Sequence, residues 1–409
     1  MSSLSDKKLY ILILLPLILI FLGFFLNEDL STGGSKLDFL RTTPIVVDFT
    51  NFGYDKMNLL TRHPPLHYIL LSLPYFFYNN IYIVKIFYLA FSLLLPFFLY
   101  LNLKKIYNYN KINLLLFSVS FLFFPYFRAS AIWPNAHLTA LIFLLIANYF
   151  YILASHKKNF LHIFLNILFL SCATYSMQSY IVFFAFYLIN YFKFYEKYEF
   201  LKIICICFIF SIPGFFLIFY TEIISKLEFT ADIYYTLVTN FSIIFFFICF
   251  LILNSKNFKI IKGTFVKSNK IEIIFIVVIF CFIVSNFNYD LLIGGGFFYK
   301  LSYLLLKNNI IFYLSSFFGF ILIYLLFKKD KKILIPIILV NLTAINYSIS
   351  QKYFEPLLLI LIFILFKNFL ASNLISRTKY LLFYYFAVFA YFIIATVNNN
   401  YNFSKNLIF

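Results

Sequence analysis

Two aspartates, Asp38 and Asp48, stand in the most polar stretch of an otherwise apolar chain, followed by Arg62, His63 and His67. A carboxylate near cations suits a reaction on an anionic lipid head group. It can act as general base towards an acceptor hydroxyl or amine. Arg, Lys and backbone N–H groups beside glycine can hold a phosphate and stabilise its charge as it leaves. More polar chemistry follows in short segments: Arg128 in Phe127-Arg128-Ala129-Ser130, Gln178 in Ser176-Met177-Gln178-Ser179, Lys300 after the triplet Gly294-Gly295-Gly296, and Lys352 with Glu355 in Lys352-Tyr353-Phe354-Glu355-Pro356. Each has a bland alternative. A loop carboxylate such as Asp29 is ordinarily solvated, Arg128 can anchor at an interface beside Trp133, and the glycine triplet can be a plain hinge. No strand precedes that triplet and no P-loop Lys-Ser/Thr follows it. His63 and His67 would share a helix face, but no third ligand has comparable spacing, so no metal site is assigned.

The elements that must position these residues are membrane spans. Of 409 residues, 63% are hydrophobic and only 12% charged, against about a quarter charged in an ordinary soluble domain. A soluble globule cannot hide that much apolar surface, whereas a bilayer core asks for runs of about 20 apolar residues. Such runs recur along the whole chain. The expected fold is an all-α polytopic integral membrane protein with about 13 transmembrane helices. It is one membrane domain over 1–409 with no separate soluble domain. A long first non-cytoplasmic loop (27–63) leads into a juxtamembrane segment (64–78). Lys7 and Lys8 before an apolar run resemble a signal peptide, but Asn27-Glu28-Asp29 follows without a small-residue cleavage site, so the run reads as an uncleaved first helix.

The net charge of +18 does not indicate nucleic acid, because the lysines lie in short loops between apolar runs. The run at 64–78 is short, begins with His63-Pro64-Pro65 and contains Pro74. If it does not cross and the N-terminus is cytoplasmic, 22 of the 33 basic residues fall on the cytoplasmic side with five of the 15 acidic ones. Crossing would reverse every later lysine-rich loop, against the positive-inside rule. Lys85 is the main basic residue within a span and is read as snorkelling. Cys172, Cys205, Cys207, Cys249 and Cys281 all fall in apolar runs and are read as buried small hydrophobes.

These features together resemble the GT-C superfamily of membrane glycosyltransferases, which includes protein mannosyltransferases, aminoarabinose transferases and dolichyl-phosphate-glucose glucosyltransferases. The resemblance rests on a first span followed by a long acidic outer loop, on the juxtamembrane segment His63-Pro64-Pro65-Leu66-His67-Tyr68, and on Tyr353-Phe354-Glu355-Pro356 entering a late span. It implies transfer of a sugar from a polyprenyl-phosphate donor to a glycan, lipid or protein acceptor at the outer face of the cell inner membrane. The family's catalytic carboxylate lies about two dozen residues before the Pro-Pro segment. Asp38, 25 residues before His63, matches it, and Asp48 is the second candidate. Phe39 stands where many members carry Glu after the catalytic Asp, and the acidic pair Glu28-Asp29 lies close to the first span. Arg62, Arg128, Lys300 and Lys352 would cradle the donor phosphate, with His63, His67, Gln178 and Glu355 lining the site. No cofactor is certain, and use of a divalent cation varies within the superfamily. A polysaccharide polymerase or O-antigen ligase would place its large outer loop late in the chain, and a transporter or flippase would place charges near the bilayer midplane.

Overall fold

The computed structural model describes residues 6–31, 34–52, 63–221, 233–288, 294–344 and 351–406, and every element among them is helical. The helices form two compact units, residues 1–227 with 388–409, and residues 228–387.

The first unit opens with α1 (Asp6–Phe25), a continuous apolar helix. Then come α2 (Gly34–Phe52), α3 (Leu66–Tyr78), α4 (Ile81–Ser92), α5 (Leu94–Ile106), α6 (Lys111–Ser120), α7 (Pro125–Ile132), α8 (Ala136–Lys157), α9 (Phe160–Ser176), α10 (Val182–Phe194) and α11 (Lys197–Thr221). The second unit holds α12 (Ile233–Ile252), α13 (Ser255–Val266), α14 (Lys270–Ser285), α15 (Gly296–Leu306), α16 (Ile310–Lys329), α17 (Leu334–Thr343), α18 (Leu357–Ile364) and α19 (Phe369–Ile375). It also holds the start of α20 (Thr378–Asn406), whose end belongs to the first unit. Asparagine starts many of these helices. The side chains of Asn80, Asn110, Asn135, Asn159, Asn254, Asn269 and Asn368 each accept a hydrogen bond from a backbone N–H of the turn they open. Each satisfies a donor that a helix start leaves orphaned.

Among the described residues, seven helical stretches are long and apolar enough to cross a membrane, or up to ten if each sharply bent pair is one span. The bends measure 71° between α6 and α7, 100° between α13 and α14, and 91° between the segments 351–364 and 369–375. At the first, Phe124 is extended ahead of Pro125, the conformation proline imposes on its predecessor. The sequence expectation is about 13 spans, and some of the apolar runs behind it are broken helices among the described residues. The run at 178–192, for example, is a 3-10 turn followed by the 13-residue α10. The doubtful run at 64–78 is also a 13-residue helix, α3, shorter than a bilayer requires.

Polar side chains hold the first unit together from inside. Asn148 donates to Asn102 Oδ1 (2.8 Å) and Asn102 to the Leu145 carbonyl (3.0 Å). The Tyr187 hydroxyl donates to Asn148 (3.0 Å) and that of Tyr191 to Asn166 (3.0 Å), while Asn166 donates to the Ala147 carbonyl (2.8 Å). These bonds tie α5, α8, α9 and α10 where apolar attraction alone would not distinguish helix from lipid. On α11, Pro213 removes a backbone donor. One turn along, the Tyr175 hydroxyl of α9 receives the Gly214 N–H (2.9 Å) and donates to the Phe210 carbonyl, inserting itself into the helix ladder. The outer faces are apolar: only 6% of the most apolar α11 window is buried. That corrects the expectation for the cysteines. Cys205 and Cys281 are exposed and the other three half-buried, because an apolar residue in such a helix has no need to face inward.

In the second unit α12 packs on α16 through small residues. Ser242 bonds Ser315 (2.7 Å), Ser316 donates to the Val238 carbonyl (2.8 Å), and a Cβ at Gly319 would stand 2.1 Å from the Phe241 carbonyl oxygen. Backbone contact that close admits only glycine. Gly319→Ala is expected to force the pair apart and destabilise the second unit by about 1–3 kcal/mol. Thermal unfolding of the purified variant in detergent would measure it, and a wild-type melting curve would refute the close approach.

Candidate functional site

The first unit gathers its buried lysine and arginine, Lys85 and Arg128, at the C-terminal end of α1. Asn27 takes a left-handed conformation (φ 50°) that ends the helix and turns the chain towards Glu28. From α7, Arg128 reaches Glu28 in a two-pronged ion pair, with Nε to Oε1 at 2.7 Å and Nη2 to Oε2 at 2.8 Å. Nη2 also donates to the Leu19 carbonyl (2.8 Å), and the guanidinium lies over the Phe392 ring at 4.5 Å. Arg128 is fully buried, and its Nη1 has no hydrogen-bond acceptor among the described residues. Gly23 provides the notch: a Cβ there would lie 2.6 Å from Arg128 Nη2 and 2.7 Å from Glu28 Oε2. Arg128, expected to cradle a donor phosphate, is thus already engaged by a carboxylate. The acidic pair beside the first span supplies that carboxylate.

Trp133 joins this pair to a second cation. Its indole N–H donates to the Glu28 carbonyl (2.9 Å), and Lys85 Nζ lies 3.6 Å from the ring centroid while donating to Asn27 Oδ1 (2.9 Å). Lys85 does not snorkel to water. It is 5% exposed and held by a cation–π contact, which strengthens when desolvated. Asp29 is not simply solvated either. It accepts from the Ser31 N–H (2.9 Å) and the Lys36 N–H (2.9 Å), and its carbonyl accepts from Asn399. It thereby fixes the turn that starts α2.

Three of the expected site residues lie at one end of the first unit, around α3. His63 Nδ1 and Gln178 Oε1 are 3.4 Å apart. His67, one turn further along, is buried with its Nδ1 2.8 Å from Thr139 Oγ1 and its ring edge-on to Tyr88. Burial, and secondarily the nearby His63, push the His67 imidazole down to about 3, so it is neutral at ordinary pH. The Tyr88 hydroxyl donates to the Asn135 carbonyl (2.7 Å), and Tyr180 meets His137 at 3.5 Å. Lys85, His137 and Tyr180 were missed as site residues. For Lys85 the signal was present, since an ionisable residue inside a span needs a partner. Among the described residues, no group of three or more His, Cys, Asp or Glu is arranged to hold a metal ion.

α2 packs along α3 and touches α7, so both candidate bases ride on a helix at this end. Its inward stripe is Ser35, Phe39, Ile45 and Val46. Asp38 and Asp48 are both half-buried. Round the helix Asp38 falls between Ile45 and Ser35, about 20° and about 60° from them, whereas Asp48 lies about 60° beyond Ile45 and about 140° from Ser35. Arg62 lies outside the described residues.

The second unit holds the remaining expected residues. Gly294, Gly295 and Gly296 have φ of 93°, 72° and 78°, a left-handed run that favours glycine. The Phe297 N–H at the start of α15 donates to Gln351 Oε1 (2.9 Å), and Gln351 Nε2 lies 3.4 Å from Glu355 Oε2. Glu355 is 1% exposed, Lys352 is half-buried with its Nζ 5.5 Å from the Tyr353 ring, and Lys300 is exposed. Gln351, not named beforehand as a site residue, links the glycine turn to Glu355.

No family model, curated protein or solved structure matches the chain. The described residues are all-helical and include seven helices, or up to ten if each bent pair is one span, long and apolar enough to cross a membrane, which defines the class as a membrane protein.

Two outcomes follow from this geometry. Glu28→Gln or Arg128→Met alone leaves a buried charge without its partner and is expected to destabilise by about 3–5 kcal/mol. The double variant Glu28→Met with Arg128→Met should recover part of that loss in the same detergent melt; strict additivity would refute the pairing. His67 binds a proton near pH 6.5 when unfolded and near 3 when folded. Stability is therefore unaffected by this group above pH 6.5 and declines as pH falls from there towards 3. His67→Gln should flatten that slope, and an unchanged profile would show that His67 is not held neutral.

Proposed function

We propose that the chain is a membrane glycosyltransferase that moves a sugar from a polyprenyl-phosphate donor to an acceptor at the non-cytoplasmic face. In this reading the N-terminus is cytoplasmic, the apolar runs make about 13 crossings of the cell inner membrane, and α2 and α3 lie at its outer surface. The observation that carries the proposal is the packing of α2, with its two half-buried aspartates, along α3 with His67 and against α7. A general base on a rigid surface helix, beside polar residues from neighbouring helix ends, suits an acceptor arriving from water and a donor arriving from lipid.

In the reaction an acceptor oxygen or nitrogen forms a bond to the anomeric carbon as the bond from that carbon to the phosphate oxygen breaks. The polyprenyl phosphate leaves with the electron pair, and the acceptor proton passes to the aspartate. Asp38 is preferred to Asp48 because it falls between residues of the buried stripe of α2. With Arg128 engaged by Glu28, the donor phosphate falls in this reading to another cation, such as Arg62. His63 and Gln178 would orient the acceptor.

The three bent helix pairs favour a second reading, a transporter or flippase of lipid-linked sugars, since broken helices line many transport sites. Asp38→Asn separates the two. Incubated with radiolabelled polyprenyl-phosphate sugars and envelope extract, this variant is expected to lose about 10²-fold or more of transfer while keeping the wild-type melting temperature. Asp48→Asn should retain activity. Full transfer by Asp38→Asn would remove it from the mechanism, and translocation without transfer by the wild type would favour the transporter.

A further inference from the structure

A cavity of about 180 Å³ opens at the other end of the helices α8, α9 and α11, lined by Lys158, Phe160, Ile163, Tyr195, Glu199 and Lys202. It is too large for one ordered water and has no part in the proposed transfer. Its depth relative to lipid follows from its walls. The apolar stretch of α8 ends at Lys157 and that of α11 begins at Lys197, so the cavity lies where membrane-length helices meet water. Leu161 and Leu201 beside it are exposed, giving an apolar approach on the lipid side.

Its charges are mixed. Lys158 takes a left-handed conformation (φ 45°) that closes α8, and Lys202 lies on α11 with its Nζ 4.5 Å from the Tyr198 ring. Two helix starts contribute as well: Phe160 opens α9 after the Asn159 cap, and Glu199 sits in the first turn of α11. Helix N-termini and lysines together favour a phosphate. Glu199 does not. It offers a carboxylate in the same cavity, so a purely anionic ligand would meet repulsion there.

We infer that this cavity binds the head group of phosphatidylethanolamine, with the phosphate towards Lys158 and Lys202 and the primary ammonium towards Glu199. The ammonium has three N–H donors for a carboxylate, which a quaternary choline lacks. Tyr195 lines the cavity with its hydroxyl donating to the Ala154 carbonyl (3.1 Å), leaving its oxygen able to accept from the ammonium. Burial, and then the nearby Glu199, raise this phenol above its ordinary value and keep it protonated. Phe160 and Ile163 supply the apolar wall under the glycerol backbone.

Native mass spectrometry of the full-length protein, stripped of lipid in detergent, tests this with phosphatidylethanolamine, phosphatidylglycerol and phosphatidylcholine of identical acyl chains. Phosphatidylethanolamine should bind about tenfold more tightly than either of the others. Glu199→Gln should abolish the preference over phosphatidylglycerol, whereas Lys158→Gln with Lys202→Gln should weaken both lipids alike. Unchanged melting curves would show that the variants fold. Equal retention of phosphatidylethanolamine and phosphatidylcholine by the wild type, or a preference over phosphatidylglycerol surviving Glu199→Gln, would overturn the assignment. Displacement of the lipid by equimolar soluble phosphoethanolamine would overturn the lipid as the source and assign the cavity to a free phosphorylated amine.

Discussion

A guanidinium that water cannot reach governs the architecture at the end of α1. Taking a charge of this kind out of water costs several kcal/mol even after relaxation, and that cost is offset only by close, well-aligned acceptors. Arg128 finds them in Glu28 and in the Leu19 carbonyl. The local backbone follows from this requirement. α1 must stop where Glu28 can face α7, so Asn27 adopts a left-handed conformation. The α1 surface must admit the guanidinium, so position 23 has no side chain. Trp133 is held to the Glu28 carbonyl, and Lys85 is held over Trp133. Asp29, next in sequence, caps the start of α2. The helix that carries the candidate bases is therefore positioned by a chain of contacts that begins at one buried cation.

The same constraint operates at lower stakes through the helix interiors. In lipid the hydrophobic effect does not drive helices together, and an amide or hydroxyl has strong reason to find a partner. Asn102, Asn148 and Asn166 meet that need with tyrosines and carbonyls of neighbouring helices in the first unit. In the second unit Asn373 donates to Asn257 (2.8 Å), which bonds the Leu251 carbonyl (2.8 Å). Asparagine therefore does two jobs, capping helices at their ends and joining them in their middles. Asn thus has a structural use at both kinds of position.

The membrane class was legible because apolar composition and run length are properties of the chain itself. The shortness of the proline-flanked run at 64–78 was legible for the same reason, and α3 within it has 13 residues. The number of spans was less legible. A hydropathy run does not reveal that Phe124-Pro125 turns the backbone through 71°. The sequence shows which polar residues stand apart from the apolar runs, but not how they pair. His63 and Gln178 were both named, and they meet. Arg128 was named for a phosphate, yet it is held by Glu28, 100 residues away in sequence, and no local pattern announces a partner at that distance. Lys85 was read as reaching for water because a lone lysine near a helix end ordinarily does so. Trp133 and Asn27 give it a closer alternative that only the folded chain brings within reach.

Proline in α11 extends the argument from charges to the backbone. Pro213 cannot donate, and the Phe210 carbonyl and the Gly214 N–H beside it both bond the Tyr175 hydroxyl. Exposed to hydrocarbon, each unsatisfied group would cost several kcal/mol. The Tyr175 hydroxyl answers both at once because it donates and accepts. A break in a membrane helix is therefore tolerated only opposite a neighbour that carries the matching polar atom, and Gly214 leaves the space for it. α11 buries little else, so this bond does more than repair a ladder: it fixes which face of α11 meets α9. Where helices in such a protein bend is thus decided by where a partner stands ready, as the position of Arg128 is decided by Glu28.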